Sequence, residues 1–138
     1  MIISKIELDT KELLILRTSL YTKKFLHYEL HSWKVAFDRK AGELLLKIHR
    51  QAEINLEEEA GQKRPKDEYL IFRKNNYHYE KILEIAKKHL SEFDEWIEYT
   101  KEEKEELVKN LLYPLNYQNE TFEELMEYTN LFFSSQEK

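Results

Sequence analysis

The sequence predicts an all-α protein, and two observations support this fold class. The 138 residues include only two glycines and two prolines, whereas strand-rich folds need turn residues about every ten positions. Apolar side chains also recur at steps of three and four over long stretches, which is the spacing of one helix face. With 41% apolar residues, the chain can bury the core of one domain. We therefore expect a single helical bundle spanning residues 1–138.

The first predicted helix, helix A, covers about residues 10–58 and follows a short extended arm at residues 2–8. Asp9 and Glu12 have the spacing of a capping box, in which each side chain accepts a hydrogen bond from a free amide at the start of a helix. The apolar steps continue in phase across Gly42. We therefore expect this glycine to be tolerated within the helix or to bend it.

A charged loop at about residues 57–68 predicts a reversal of the chain into helix B, at about residues 66–99. The apolar positions of helix B alternate steps of three and four like the seam of a coiled coil, with one polar exception at Asn76. An asparagine on such a seam selects register and partner, because its amide must find a mate. Helices A and B are expected to form a long antiparallel hairpin.

Two short helices complete the predicted bundle: helix C at about residues 101–113 and helix D at about residues 121–134. Thr100 and Thr121 are each followed three residues later by a glutamate, which is the pattern of a capping box. Asn119 is a rival cap for helix D.

Charge is unevenly distributed along the chain, whose net charge is −5. The first 91 residues carry 18 Lys and Arg against 14 Asp and Glu, whereas residues 92–128 carry 3 against 12. Helices C and D therefore either dock on the basic start of helix A or offer an acidic surface to a basic protein partner. The candidate partner-binding residues are Glu102, Glu103, Glu105, Glu106, Glu123 and Glu124.

The stretch RKNNYHYE at residues 73–80 contains an arginine and a histidine five positions apart. Arg73 and His78 resemble the Arg-x4-6-His motif of the HEPN ribonucleases, a family of all-helical bundles. The resemblance implies metal-independent RNA cleavage at a dimer interface, with His78 as the acid and base and Arg73 stabilising phosphate charge. On an unbroken helix, side chains five positions apart point about 140° apart. The pair can therefore converge only if the helix breaks at Asn75 and Asn76.

His27 and His31 are four residues apart, so a helix would place both on one face as half of a metal site. Neither a third ligand nor a glutamate at the required spacing accompanies them, so we expect no metal. Two isolated glycines cannot build a phosphate-binding loop, and we expect no cofactor. The lack of cysteine excludes disulfides and thiol catalysis.

The predicted function is non-enzymatic: a small acidic interaction protein of the cytoplasm that inhibits, neutralises or adapts a protein partner. Phage-borne inhibitors and immunity or antitoxin proteins share these bulk properties. RNA cleavage by Arg73 and His78 is the first alternative, and a homodimeric helical module closed by the apolar face of helix B is the second. No apolar run approaches the roughly 20 residues that span a bilayer, and the acidic balance disfavours nucleic acid.

Overall fold

The computed structural model describes residues 1–29, 33–64 and 68–136, and for Trp33 the backbone alone. Over these residues the prediction of an all-α bundle is confirmed. The helices are α1 (Thr10–Tyr21), α2 (Trp33–Ala36), α3 (Arg39–Ala60), α4 (Tyr79–Ser91), α5 (Lys101–Leu112) and α6 (Asn119–Gln136). Two short strands, β1 (Ile71–Phe72) and β2 (Asn116–Tyr117), pair in parallel. A π-helical turn (Thr22–Leu26) follows α1, a 3₁₀ turn (Glu68–Leu70) precedes β1, and a second 3₁₀ turn (Asp94–Glu98) lies between α4 and α5.

The region predicted as helix A is not one helix, because it folds back on itself. After α1 and the π-helical turn the chain leaves the helical conformation at His27, and α3 then returns antiparallel to α1. The antiparallel pairing is visible in two contacts: Thr10 lies against Glu59, and Arg17 lies against Glu53. Helix α3 starts after Asp38, whose carboxylate accepts a hydrogen bond from the amide of Lys40 at 2.8 Å and so caps the helix.

The prediction of helix B is also wrong in its continuity. A 3₁₀ turn, strand β1 and a non-helical turn at residues 73–78 come before α4, and the chain leaves the α-helical conformation again after Ser91. The apolar spacing still marks the buried face of α4, which includes Tyr79, Leu83 and Leu90. This face packs on α6 and on the π-helical turn. The expected A–B hairpin is thus replaced by an α1–α3 pair and an α4–α6 pair.

The two C-terminal helices agree with the prediction within about two residues. Thr100 caps α5, and the box is complete because Glu103 Oε1 accepts from the amide of Thr100 at 2.9 Å. Helix α6 begins at Asn119, so Thr121 is not its cap. Thr121 is buried in the first turn, and its hydroxyl lies 3.1 Å from Tyr79 Oη. This hydrogen bond joins α6 to α4.

Gly42 lies inside α3, as expected, and the reason is close packing. A Cβ atom at this position would lie 2.6 Å from the carbonyl oxygen of Tyr113, just beyond the end of α5. Only glycine lets the backbone of α3 approach so closely without displacing that segment. This contact joins the α1–α3 pair to the C-terminal half of the molecule.

The predicted start of helix A and the loop predicted after it are largely confirmed. Asp9 and Glu12 form the capping box of α1, and residues 1–8 have no regular secondary structure. Helix α3 extends to Ala60 and ends at Gly61, whose φ of 68° is the left-handed conformation that favours glycine. The loop therefore starts three to four residues later than predicted, and its residues 65–67 lie outside the described residues.

Candidate protein-binding surface

The six glutamates predicted to bind a partner lie on α5 and α6, which pack against each other. Five are exposed, and the sixth, Glu105, is half-buried. Their apolar neighbours on the same helices, such as Val108 and Leu125, are fully buried. The helical spacing thus directs the apolar residues inward and leaves the carboxylates on the outside.

A groove of about 330 Å³ runs between the two helices. Phe122 and Met126, each only 8% exposed, contribute its apolar part. Glu105 and Glu123 line it together with two lysines, so the groove joins charged side chains to an apolar surface. Its lining residues are Lys101, Glu105, Lys109, Tyr117, Asn119, Phe122, Glu123 and Met126.

Little of this negative charge is neutralised within the molecule. Lys87 Nζ lies 3.8 Å from Glu124 Oε2, and one oxygen of Glu103 accepts the capping hydrogen bond. Within the described parts of the chain, no lysine or arginine nitrogen lies within 4 Å of the carboxylates of Glu102, Glu105, Glu106 or Glu123.

Two of the basic residues near the start of the chain, Arg17 and Lys24, do not pair with the acidic side chains of α5 and α6. Arg17 Nη1 donates to Glu53 Oε1 of α3 at 2.9 Å, and its guanidinium stacks on the ring of Tyr69 with 4.1 Å to the centroid. Lys24 does reach α5, but it bonds to backbone carbonyls and not to carboxylates. Intramolecular docking of acidic side chains on the basic start of the chain is therefore not what holds α5 in place.

Lys24 is a buried cation, with 1% of its surface exposed. Its ammonium donates to the carbonyl oxygens of Ala36 at 2.6 Å, Asn110 at 2.9 Å and Leu111 at 3.1 Å. These carbonyls belong to the last turns of α2 and α5, where carbonyl groups lack helical partners and the helix dipole is negative. Burial lowers the pKa of Lys24 to about 7, while Asp38 acts in the opposite direction. All three donors of the ammonium are used, which makes this lysine a structural clamp.

A second polar network stabilises the other end of the α1–α3 pair. Glu53 accepts from Arg17 and, at 2.7 Å, from Arg64 Nε. Burial acts to raise the pKa of Glu53, but the hydrogen bonds and charges of the two arginines outweigh it and lower the pKa. Arg17 Nη1 also lies 3.3 Å from His49 Nδ1, whose ring stacks on Tyr69. Sequence reasoning missed this network, because its members are far apart in the chain and have no common spacing.

Arg73 and His78 lie on the non-helical turn between β1 and α4, and both are exposed. The helix is therefore broken between them, contrary to the continuous seam predicted for helix B. Asn76 is not a seam residue: its side-chain amide donates to the carbonyl oxygen of Ile71 at 2.7 Å and its backbone amide to that of Arg73 at 2.9 Å. The ring of His78 lies near those of Tyr21 and Tyr77, with centroids 6.3 and 4.7 Å away.

Of the two histidines considered for a metal, His31 lies outside the described residues. His27 Nε2 lies 3.3 Å from Glu29 Oε1. No group of three or more His, Cys, Asp or Glu able to hold a metal occurs among the described residues. A further histidine, His89, is buried against Phe37 and Tyr28, and burial lowers its pKa.

Where the structure describes the chain, no helix combines the length and the apolar character needed to cross a bilayer. Comparison with known proteins finds no matching family model, no matching curated protein and no matching solved structure.

Proposed function

We propose that this protein is a non-enzymatic interaction protein that binds a basic segment of a protein partner on α5 and α6. The observation that supports this most directly is the acidic surface itself: five of its six glutamates are exposed, and Glu102, Glu105, Glu106 and Glu123 have no ion pair among the described residues. Negative charge left unpaired on a folded surface attracts a positive partner and speeds the encounter.

The α5–α6 groove gives this surface a place for an apolar side chain. Phe122 and Met126 lie in the groove, and Glu105 and Glu123 line it together with Lys101 and Lys109. Two large apolar side chains of the C-terminal half are also exposed, Ile97 of the turn before α5 at 51% and Leu131 of α6 at 70%. Apolar contact area surrounded by charge is the usual composition of a protein interface.

The occupant that fits both features is an amphipathic helix rich in Lys and Arg, laid along the groove with its apolar side inward. Binding of such a segment would block or reposition whatever the partner does with it. This is how the protein would act as an inhibitor, a neutralising protein or an adaptor.

The test uses a defined probe, a labelled 18-residue amphipathic Leu/Lys peptide, with a Leu/Glu peptide of the same pattern as comparison. Fluorescence anisotropy is expected to show binding of the Leu/Lys peptide only, weakening as salt rises. Glu105→Lys with Glu123→Lys should weaken binding at least tenfold. The control pair, Glu58→Lys with Glu80→Lys, makes the same change in net charge on α3 and α4 and should have little effect. Equal weakening by both pairs would show that only net charge matters and would contradict a site at the groove.

RNA cleavage by Arg73 and His78 is a second candidate, favoured by one observation. The turn at residues 73–78 breaks the helix that would have directed the two side chains apart. Incubation of wild-type protein and His78→Ala with labelled RNA in the presence of a chelator tests it. Cleavage that His78→Ala abolishes would support the nuclease, and equal, negligible cleavage by both proteins would eliminate it.

A further inference from the structure

Helix α1 is apolar on more than one side. Leu13 packs with Ile48 and Ala52 of α3 in a small core cluster. Ile15 and Leu16 point elsewhere and are 56% and 38% exposed. Ile15 and Leu16 lie on the side of α1 that also carries the exposed Glu12 and Ser19, and the described residues leave both apolar side chains of this outer face of α1 exposed.

The arm at residues 1–8 has the same property. Ile2, Ile3 and Ile6 are 94%, 78% and 79% exposed, so this arm does not lie on its own α1. In an extended chain alternate residues share a side, which places Ile2 and Ile6 on the side of Leu8. Leu8 already packs against the α1–α3 cluster, and the arm therefore continues the apolar surface of the hairpin outward.

The capping box fixes where the arm leaves the hairpin. Asp9 holds the first turn of α1, and Thr10 Oγ1 donates to Glu59 Oε1 at 2.6 Å, next to the end of α3. The arm thus begins at the tip of the α1–α3 pair. The uncovered face of α1 starts more than one helical turn further along, at Ile15.

We propose that a second copy of this chain supplies the missing cover: the arm of each protomer lies across the outer face of α1 of the other. Every copy carries both an uncovered face and an uncovered arm, so one two-fold symmetric exchange covers both in both protomers. Burial of four large apolar side chains per protomer, Ile2, Ile6, Ile15 and Leu16, drives the association. The exchange uses α1 and the arm only, so it is independent of the binding proposed for α5 and α6.

The first test is the mass in solution, by light scattering over a concentration series. Wild-type protein is expected at twice the chain mass of 16.9 kDa at tens of micromolar. An armless variant lacking residues 2–6 and a faceless variant, Ile15→Ser with Leu16→Ser, should each be found at the single-chain mass. The control, Leu44→Ser with Ile54→Ser, removes comparably exposed residues from α3 and should remain dimeric.

The second test is complementation, which separates exchange between copies from contact within one copy. The armless variant still has the face, and the faceless variant still has the arm. Mixed together, they should form a heterodimer with one arm on one face, at least tenfold weaker than the wild-type dimer and detectable by native mass spectrometry with one chain isotope-labelled. A monomeric wild type, a dimeric armless or faceless variant, or the absence of the mixed dimer would each overturn the proposal. Circular dichroism confirms that both variants are folded.

Discussion

The two halves of the molecule treat charge in opposite ways. In the N-terminal half, Arg17 and Lys24 point into the molecule. Arg17 donates a hydrogen bond to Glu53, and Lys24 donates to three carbonyl oxygens at helix ends. In the C-terminal half, the carboxylates of α5 and α6 turn outward and have few partners. The uneven charge of the chain therefore does not cancel on folding. Arg17 and Lys24 stabilise the fold, whereas most of the carboxylates of α5 and α6 stay exposed.

This difference teaches that the same type of residue has different consequences at the two sites. A buried charge must be fully hydrogen-bonded, so its removal damages the fold. An exposed charge costs little to change, so its removal affects only what binds there.

Replacing Lys24 with methionine should have the largest effect on stability. The substitution leaves the carbonyls of Ala36, Asn110 and Leu111 without their donor inside the molecule. The same change relieves the desolvation that lowers the pKa of Lys24, so we expect a net loss of about 3 kcal/mol in the free energy of unfolding, measured by chemical denaturation. Lys23→Met changes the exposed neighbour and is the control. A loss below 1 kcal/mol for Lys24→Met would contradict the clamp.

The contact between the two halves should be nearly as sensitive. Gly42→Ala places a methyl group 2.6 Å from the carbonyl oxygen of Tyr113, so the backbone must shift, and we expect a loss of about 2 kcal/mol. Helix propensity alone would instead stabilise the variant by about 1 kcal/mol. The sign of the change in thermal unfolding therefore decides between a close contact and an ordinary helix position.

Lys24 should also make stability depend on pH. Its pKa is about 7 in the folded protein against 10.5 as the ordinary value, so the unfolded chain binds more protons between these limits. The free energy of unfolding should therefore rise with pH, by about 1.5 kcal/mol from pH 7 to 8.5. Denaturation of wild type and Lys23→Met at both pH values should show the same rise, and Lys24→Met should not. A fall in stability over this range for the wild type would refute the assignment.

Reversing exposed charge in the C-terminal half should have the smallest effect on stability. Glu102→Lys with Glu106→Lys changes two exposed side chains without ion pairs among the described residues. We expect a change within about 0.5 kcal/mol in the free energy of unfolding. The same variant should bind the Leu/Lys peptide more weakly than the wild type does. Destabilisation by more than 2 kcal/mol would mean that these carboxylates belong to the fold.

Local signals made part of the fold predictable from the sequence. Asp9, Thr100 and Gly61 each act through atoms within a few residues, and the structure confirms the ends that they mark. The apolar spacing also identified the buried residues of α4 and α5. It could not show whether the helices were continuous, because apolar residues can stay in phase across a non-helical turn.

The breaks themselves depend on long-range contacts. The chain leaves the helical conformation near His27. Because of this break, α3 can pack against α1, and Lys24 can reach the carbonyl oxygens of Ala36 and Leu111. Asp38 is a residue type that favours helix N-caps, but the apolar spacing continues in phase past it and so gave no sign that a new helix starts there. For the candidate site, the sequence predicted the residues of the acidic surface. It could not predict the groove, because that depends on how α5 and α6 pack.

The reach of Lys24 also has a consequence for biosynthesis. Two of its three hydrogen bonds join residues 86 and 87 positions apart in the chain. At roughly 5–20 residues per second, the α1–α3 pair emerges from the ribosome several seconds before the end of α5 does. In that interval the ammonium lacks most of its acceptors and must stay in water. The N-terminal hairpin should therefore complete its packing only when the last third of the chain has emerged.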